Sequence, residues 1–275
     1  MNVDALPFTL LILLAEFAIG GLWVLVASDL RGMVAKSFVK FGAALILVMA
    51  AFTFWVAAKV HVSADVDGYP LDPAYMGGVR IALGLFFALT FPYLYLALRE
   101  SRRPSLVVGG LASAAGLASL ALMAQVFAAP TWGYVGTFLS LLVGTMCVGA
   151  VSIGMVLGHW YLVTPRLPTR PLREVTFFLL MALATQVVLL APALALPVRQ
   201  EPANALDVSI GQNPFFWMRV GGGLLFPMAL AYMAWDSSGV RAMQSATGLL
   251  YLAMALVLSG EVLGKGLLFV TAIPS

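Results

Sequence analysis

Eight long apolar stretches follow one another along this chain and leave little of it for anything else. A helix that crosses the hydrocarbon core of a bilayer needs about 20 mostly apolar residues. The stretches cover residues 7–28, 39–60, 76–98, 105–128, 134–163, 174–196, 214–235 and 243–271. They lack the period-two alternation of a membrane β-barrel. We therefore predict an all-α integral membrane protein with eight transmembrane helices.

The composition excludes several other classes of protein. Apolar residues make up 62% of the 275 residues and charged residues 10%, whereas soluble domains have about 45–50% and about 25%. These values exclude a soluble enzyme, a disordered chain, a coiled coil and a disulfide scaffold, and we expect no nucleic-acid partner. The single cysteine, Cys147, can form neither an internal disulfide nor a cysteine-based metal cluster, and we predict no metal site.

The sign of the loop charges alternates along the chain, which predicts its orientation. Every second loop is basic, through Arg31, Lys36 and Lys40, then Arg99, Arg102 and Arg103, then Arg166, Arg170 and Arg173, then Arg241. The loops between them are acidic or neutral, with Asp65, Asp67 and Asp72, then residues 130–133, then Glu201 and Asp207. Because basic loops stay in the cytoplasm, we predict that both termini lie outside. The predicted location is the bacterial inner (cytoplasmic) membrane, with the termini in the periplasm.

Short sequence similarities near half the chain length predict an internal duplication. Residues 21–30 align with residues 158–167 at an offset of 137, and Gln125 aligns with Glu261 at an offset of 136. The segment Asp72-Pro73, followed by Arg80, also aligns with Asn213-Pro214, followed by Arg219. We predict two four-helix-bundle repeats, residues 1–135 and 136–275. They are parallel, since each half starts outside, and their pseudo-axis runs along the membrane normal.

Ionisable residues inside the predicted spans are the first candidates for function, because they are costly in a bilayer. Glu16 lies in the middle of the first span, either as a carboxyl bonded to a neighbouring helix or as part of a proton path. Glu261 and Lys265 are four residues apart and share a helix face, as a structural ion pair or as the lining of a headgroup pocket. Arg80 and Arg219, near the outer ends of their helices, either snorkel to the lipid headgroups, line an outer pocket, or pair with carboxylates such as Asp65 or Asp72.

The two histidines lie at opposite ends of their predicted helices. His61 follows the second span at the outer face, and His159 ends the fifth span at the inner face. Separated by about a membrane thickness, they cannot be the axial ligands of one haem, so we expect no haem. His61 is the candidate proton acceptor, because histidine changes charge near neutral pH. An interfacial histidine that is satisfied by water is the alternative interpretation.

Three short stretches carry a resemblance to a known family. Residues 258–269, LSGEVLGKGLLF, resemble the closing helix of dimethyl-sulfoxide-reductase-type membrane anchor subunits, in which a Gly-Glu pair is followed by Gly-basic-Gly. Residues 129–132, APTW, resemble the segment before that family's fifth helix, and His61 matches a histidine beside its quinol site. The topology agrees over most of the chain. The family continues from this histidine with Leu-Gly-Ser-Pro, whereas this chain has Val-Ser-Ala-Asp at residues 62–65.

The resemblance implies the quinone-reactive anchor of a molybdopterin oxidoreductase. Such an anchor binds no metal and exchanges electrons and protons between a membrane quinone, either menaquinone or ubiquinone, and a periplasm-facing iron–sulfur subunit. A molybdopterin catalytic subunit then acts on the terminal substrate. His61 is then the catalytic proton acceptor, and it binds the quinone together with Arg80, Glu261 and Lys265. Glu16 belongs to the proton path.

Two alternatives from other classes remain open at this point. One is a small-solute transporter or channel in which Glu16, Gln125 and Gln186 line a path. The few charges inside the spans and the lack of an obviously broken helix count against it. The other is a purely structural anchor or assembly subunit without a quinone site of its own.

Overall fold

The structure, a computed structural model, describes residues 3–32, 34–66, 68–164, 167–195 and 213–271. Eight helical segments in this part of the chain are long and apolar enough to cross a membrane, which confirms that prediction. The helices are α1 (Leu6–Leu30), α2 (Lys36–Lys59), α3 (Met76–Leu98), α4 (Arg102–Val126), α5 (Gly133–Val163), α6 (Arg170–Ala195), α7 (Pro214–Val220), α8 (Phe226–Gly239) and α9 (Met243–Thr271). A short hairpin of β1 (Asp65–Val66) and β2 (Tyr69–Pro70) follows α2.

The seventh span is built from two α-helices with a π-helical segment between them. The π-helical segment covers Gly221–Leu225 and joins α7 to α8, so that the span as a whole runs over Pro214–Gly239. A Cβ atom on Gly223 would lie 2.6 Å from the Cα of Gly260 in α9. Of the three glycines at residues 221–223, Gly223 therefore makes a close backbone contact with α9.

The helices pack in the same neighbour order in both halves of the chain. In the first half, α1 contacts α2, α2 contacts α3, α3 contacts α4, and α4 returns to α1. In the second half, α5 contacts α6, α6 contacts α8, α8 contacts α9, and α9 returns to α5. The halves meet mainly along α1 and α5. We call the side at which α1 begins and α9 ends the terminal face, and the other side the opposite face.

The contact between α1 and α5 is close enough to exclude side chains. A Cβ atom on Gly20 would lie 1.9 Å from the carbonyl oxygen of Thr145, and one on Gly149 would lie 2.2 Å from the carbonyl carbon of Gly20. In lipid, where apolar burial gives no drive between helices, small residues let backbones approach and gain van der Waals contact. The seam between the two halves is therefore closed at this depth by backbone atoms.

Large apolar side chains cover the outside of the helix assembly. Ile81 is 75% exposed, and Val107 is 64% exposed. Such a surface is unfavourable in water and suits contact with acyl chains. The structure is therefore that of a multi-pass membrane protein in a lipid bilayer.

Ion pairs connect helix ends and turns at the opposite face. Lys36 and Lys40 both donate to the carboxylate of Glu100, at 2.8 and 2.9 Å, and these hydrogen bonds lower the pKa of Glu100 to about 2. Arg31 pairs with Glu174 of α6 and so joins the two halves. Of the loop residues used to predict orientation, Asp67, Arg166, Glu201 and Asp207 lie outside the described residues.

Candidate functional site

The most unusual feature of the interior is a network of charged and polar side chains from four spans. Glu16 comes from α1, Arg219 from α7, and Glu261 and Lys265 from α9; these four side chains are between 0 and 3% exposed. Gln186 of α6 joins them through Glu261. A charged side chain at the centre of a bilayer costs about 2.5–3.5 kcal/mol on insertion scales. We call these five residues the buried network.

Glu261 lies at the centre of the buried network and accepts from three donors. Its Oε1 atom accepts from Gln186 Nε2 at 2.6 Å and from Arg219 Nη2 at 3.0 Å. Its Oε2 atom accepts from Lys265 Nζ at 3.0 Å, as the four-residue spacing predicted. Two cations and one amide therefore surround this carboxylate, an arrangement that favours its charged form.

Glu16 has far fewer contacts than Glu261. Its Oε1 atom lies 2.8 Å from Nζ of Lys265, which thus bridges the two carboxylates. Its Oε2 atom has no hydrogen-bond partner among the described residues. A Cβ atom on Gly144 of α5 would lie 2.5 Å from Glu16 Oε1 and 3.3 Å from Glu261 Oε2, so α5 leaves room for both carboxylates by carrying a glycine there.

Five polar atoms of the buried network lack a hydrogen-bond partner among the described residues. They are two donors, Arg219 Nε and Nη1, and three acceptors, Gln186 Oε1 and the two carboxyl oxygens of Glu16, of which Oε1 keeps its ion-pair contact with Lys265. Buried polar atoms that are left unpaired cost about 1–3 kcal/mol each, and buried water is their usual partner in proteins. The balance of donors and acceptors therefore suits internal water molecules.

A second polar feature lies at the terminal face, in a groove between the ends of α1 and α2. The groove has a volume of about 970 Å³, and its polar lining includes Asp4, Lys59 and His61. Its apolar lining includes Leu10, which is 47% exposed, and Trp55, which is 60% exposed. Since both of these side chains are also on the outer surface, the groove opens toward the lipid. We call it the His61 groove.

Arg80 lies next to the His61 groove rather than in the buried network. Its Nε atom donates to the carbonyl of Ala57 at 3.0 Å, and its Nη2 atom donates to the carbonyl of Val60 at 2.8 Å. These are carbonyls at the end of α2, which have no partner within the helix. Arg80 thus caps α2 and brings its positive charge beside the residue that precedes His61.

A cluster of aromatic rings lies on the terminal side of the buried network. Phe8, Phe127 and Phe269 have ring centroids 5.8–6.1 Å apart, and Tyr69 lies 5.2 Å from Phe269. The Tyr69 hydroxyl, brought in by the hairpin, donates to the carbonyl of Phe127 at 2.9 Å. All four rings are buried. We call them the aromatic plug.

The structure separates the residues that the sequence placed at one quinone site. Glu261 and Lys265 meet Glu16 in the buried network, and none of these three lines the His61 groove. His61 and Arg80 lie together at the terminal face. No role in a quinone site was predicted for Arg219 or Gln186 from the sequence. The sequence feature that could have identified them is a polar side chain within an apolar span, which is costly in a bilayer.

The architecture defines a class, a multi-pass helical membrane protein with a buried ion network and a groove that opens to lipid. Comparison with models of protein families, with curated proteins and with solved structures gives no match. Among the described residues, no three side chains of His, Cys, Asp or Glu are grouped so that they could hold a metal ion.

Proposed function

We propose that this protein is the quinone-reactive membrane anchor of a respiratory oxidoreductase. The observation that carries the proposal is the His61 groove, in which a titratable ring stands at the mouth of an apolar cavity open to lipid. A membrane quinone likewise combines a polar ring with an apolar tail, so its two parts match the polar and apolar parts of the groove. The volume of about 970 Å³ falls within the range of about 300–1,000 Å³ that is usual for ligand sites.

The chemistry of quinol oxidation matches the groups at the mouth of the groove. A quinol that loses two electrons also loses two protons, and a proton acceptor must lie within hydrogen-bond reach of its hydroxyl. In this proposal, His61 accepts one proton and the other passes to water at the terminal face. The charge of Arg80, fixed beside Val60 by two carbonyls, favours the negative charge that develops as the proton leaves.

The electrons leave to a partner in this proposal. An iron–sulfur subunit docks on the terminal face, over the His61 groove, and passes electrons to or from a molybdopterin catalytic subunit. The quinone is menaquinone or ubiquinone, and the membrane is the bacterial inner membrane. Because Glu261 and Lys265 contact the buried network instead of the groove, the proposal does not use them at the headgroup.

The proposed orientation places the terminal face outside the cytoplasm. We expect a cysteine at position 64, Ala64→Cys, to react with a membrane-impermeant maleimide in intact cells that lack the proposed docking subunit, because this residue is exposed in the loop after α2. A cysteine at position 240, Val240→Cys, should react only after the membrane is permeabilised. Both variants carry Cys147→Ala, although the natural thiol is buried. The reverse labelling pattern would invert the orientation.

We also propose that the two halves are parallel repeats. Two observations support this, the common neighbour order of the helices and a common helix start. The side chain of Asp72 accepts from the backbone N–H of Ala74, and that of Asn213 accepts from the backbone N–H of Phe215. Each lies just before a proline, Pro73 of the short 3₁₀ turn that leads into α3 and Pro214 at the start of α7. The same cap at matched positions is what a duplication leaves.

Isolation of the chain from its native membrane tests the proposed function. We expect it to carry an iron–sulfur protein and bound quinone, and Leu10→Trp, which fills the groove wall, should lower the bound quinone without loss of the iron–sulfur protein. Val107→Trp, on the exposed surface of α4, is the matched control and should change neither. An iron–sulfur partner without quinone would point to the purely structural anchor. Isolation with neither an iron–sulfur protein nor quinone would overturn the proposal.

A second candidate function, an ion-coupled transporter, is favoured by one observation. The buried network brings together Glu16 and Gln186, two of the three residues that a transport path would use, and it lies beside the π-helical interruption of the seventh span. Gln125, the third, is half-buried on α4. Isolation as a lone chain, without redox partners, would favour this candidate.

A further inference from the structure

We infer that the buried network is a proton-exchange centre in which Glu16 takes up and releases the proton, and that it exchanges with the terminal face alone. This inference goes beyond quinone chemistry and stands whether or not the His61 groove binds a quinone. It rests on the unequal contacts of the two carboxyls, on the charge balance of the network, and on what closes the network at either side.

The contacts single out Glu16 as the group that changes its protonation. Glu261 accepts from three donors, whereas Glu16 has the single contact to Lys265 and a second oxygen with no described partner. Hydrogen bonds to the charged form of a carboxyl oppose its protonation. A proton is therefore added at the least cost to Glu16, whose Oε2 atom is free to carry it.

The charges around Glu16 make the exchange reversible. Lys265 and Glu261 of α9 and Arg219 of α7 act on it, and the Cys147 thiol of α5 lies nearby. The charged residues of α2 and α4, namely Lys36, Lys40, Lys59, Arg102 and Arg103, lie at the helix ends. With both carboxylates and both cations charged, the network is neutral. A proton on Glu16 leaves one excess positive charge inside the membrane, which favours its release.

The side toward the opposite face is closed by backbone. Gly20, one turn beyond Glu16 on α1, contacts Thr145 and Gly149 of α5 so closely that a single Cβ atom has no room. This contact is made of two helix backbones and cannot be moved by the rotation of a side chain. Beyond this contact a cavity of about 200 Å³ runs from Gly20 toward Arg31 and Glu174 at that face, so the two helix backbones are what separates this cavity from Glu16.

The side toward the terminal face is closed only by side chains. Phe8 lies two turns before Glu16 on α1, with the buried Ile12 between them, and Phe269 lies one turn after Lys265 on α9, so apolar side chains fill this side of the network. Phe8 also lines the His61 groove. Side chains, among them Phe8 and Ile12 of α1, thus separate the network from an open cavity, and their rotation admits water, which conducts protons.

Infrared spectroscopy of the full chain in lipid nanodiscs tests the inference, by a difference spectrum between acidic and neutral pH. We expect the C=O stretching band of a buried protonated carboxyl, and its loss in Glu16→Gln. The control Glu174→Gln, which removes a carboxylate at the opposite face, should keep the band. If wild type shows no such band, or Glu16→Gln retains it, the inference fails.

A second set of variants keeps the test decisive if Glu16→Gln does not fold. Gly144→Ala pushes a methyl group against the Glu16 carboxyl and should shift the band, and an unshifted band would overturn the assignment to Glu16. The side from which protons reach Glu16 is tested by two further variants. Phe269→Ala should increase the rate at which the band forms after a pH jump. Ile153→Ala, which creates a cavity on the other side of the network, should leave that rate unchanged. Equal rates in both variants would overturn the one-sided access. None of these readouts involves quinol, so the proposed anchor function can fail separately.

Discussion

His61→Ala is expected to slow quinol oxidation by about 10²–10⁴-fold, the contribution typical of a positioned general base. The alanine cannot accept the proton that leaves with the electrons, and water must do so without being held in place. The complex should stay assembled, because His61 is exposed at the end of α2 and supports no buried contact. Steady-state kinetics of the purified complex with a soluble quinol analogue measure the effect.

The matched control is the other histidine. His159 lies at the opposite face, where its Nδ1 atom is 3.3 Å from the hydroxyl of Tyr251. His159→Ala removes the same ring from an equally polar interface and should turn over at the wild-type rate. If His61→Ala also keeps the wild-type rate and apparent affinity, His61 takes no part in the reaction and the proposed site is wrong.

Glu261→Ala is expected to lower the free energy of unfolding by about 3–5 kcal/mol, which is the usual cost of removing one partner from a buried ion pair. The loss comes from the charges left behind. Arg219 and Lys265 would remain buried with Glu16 as the only carboxylate, and Gln186 would lose its acceptor. Denaturant titration of the protein in mixed micelles, followed by tryptophan fluorescence, gives the free energy.

Two controls separate the loss of a buried charge from the loss of a side chain. Glu174→Ala breaks the pairs with Arg31 and Arg170 at the opposite face and should cost about 0–1 kcal/mol. Glu261→Met combined with Arg219→Leu should cost less than Glu261→Ala, because it removes the pair and leaves no unbalanced charge between them. If the double variant has a lower free energy of unfolding than Glu261→Ala, this account of the network is wrong.

The sequence predicts the helical spans because the length and hydropathy of a span are local properties. Eight stretches of sufficient length predicted eight helices, and the spacing of Glu261 and Lys265 predicted their contact, since both lie on one helix. The backbone conformation of residues 221–223 could not be predicted in this way. A run of glycines permits a kink, a π-helix and a close approach alike, and the backbone contact with Gly260 on another helix is what settled it.

The candidate site was harder to predict because its members come from distant parts of the chain. The alignment of the two halves matched Arg219 to Arg80, yet Arg219 pairs with Glu261 inside the protein while Arg80 caps α2. The two arginines occupy similar positions on their helices, but their roles differ because different side chains and carbonyls surround them. Only the packing of α6, α7 and α9 brings Gln186, Arg219 and Glu261 together, and no local pattern encodes that packing.

The span that carries Glu16 leaves the ribosome long before its counter-charge exists. Lys265 comes 249 residues after Glu16 in the chain, so α1 enters the membrane with a carboxyl that α9 balances only at a late stage of synthesis. Until then, that carboxyl must stay neutral or near water. The arrival of α9 therefore does more than add a helix, since it supplies the charge that lets α1 settle at its final depth and closes the assembly around it.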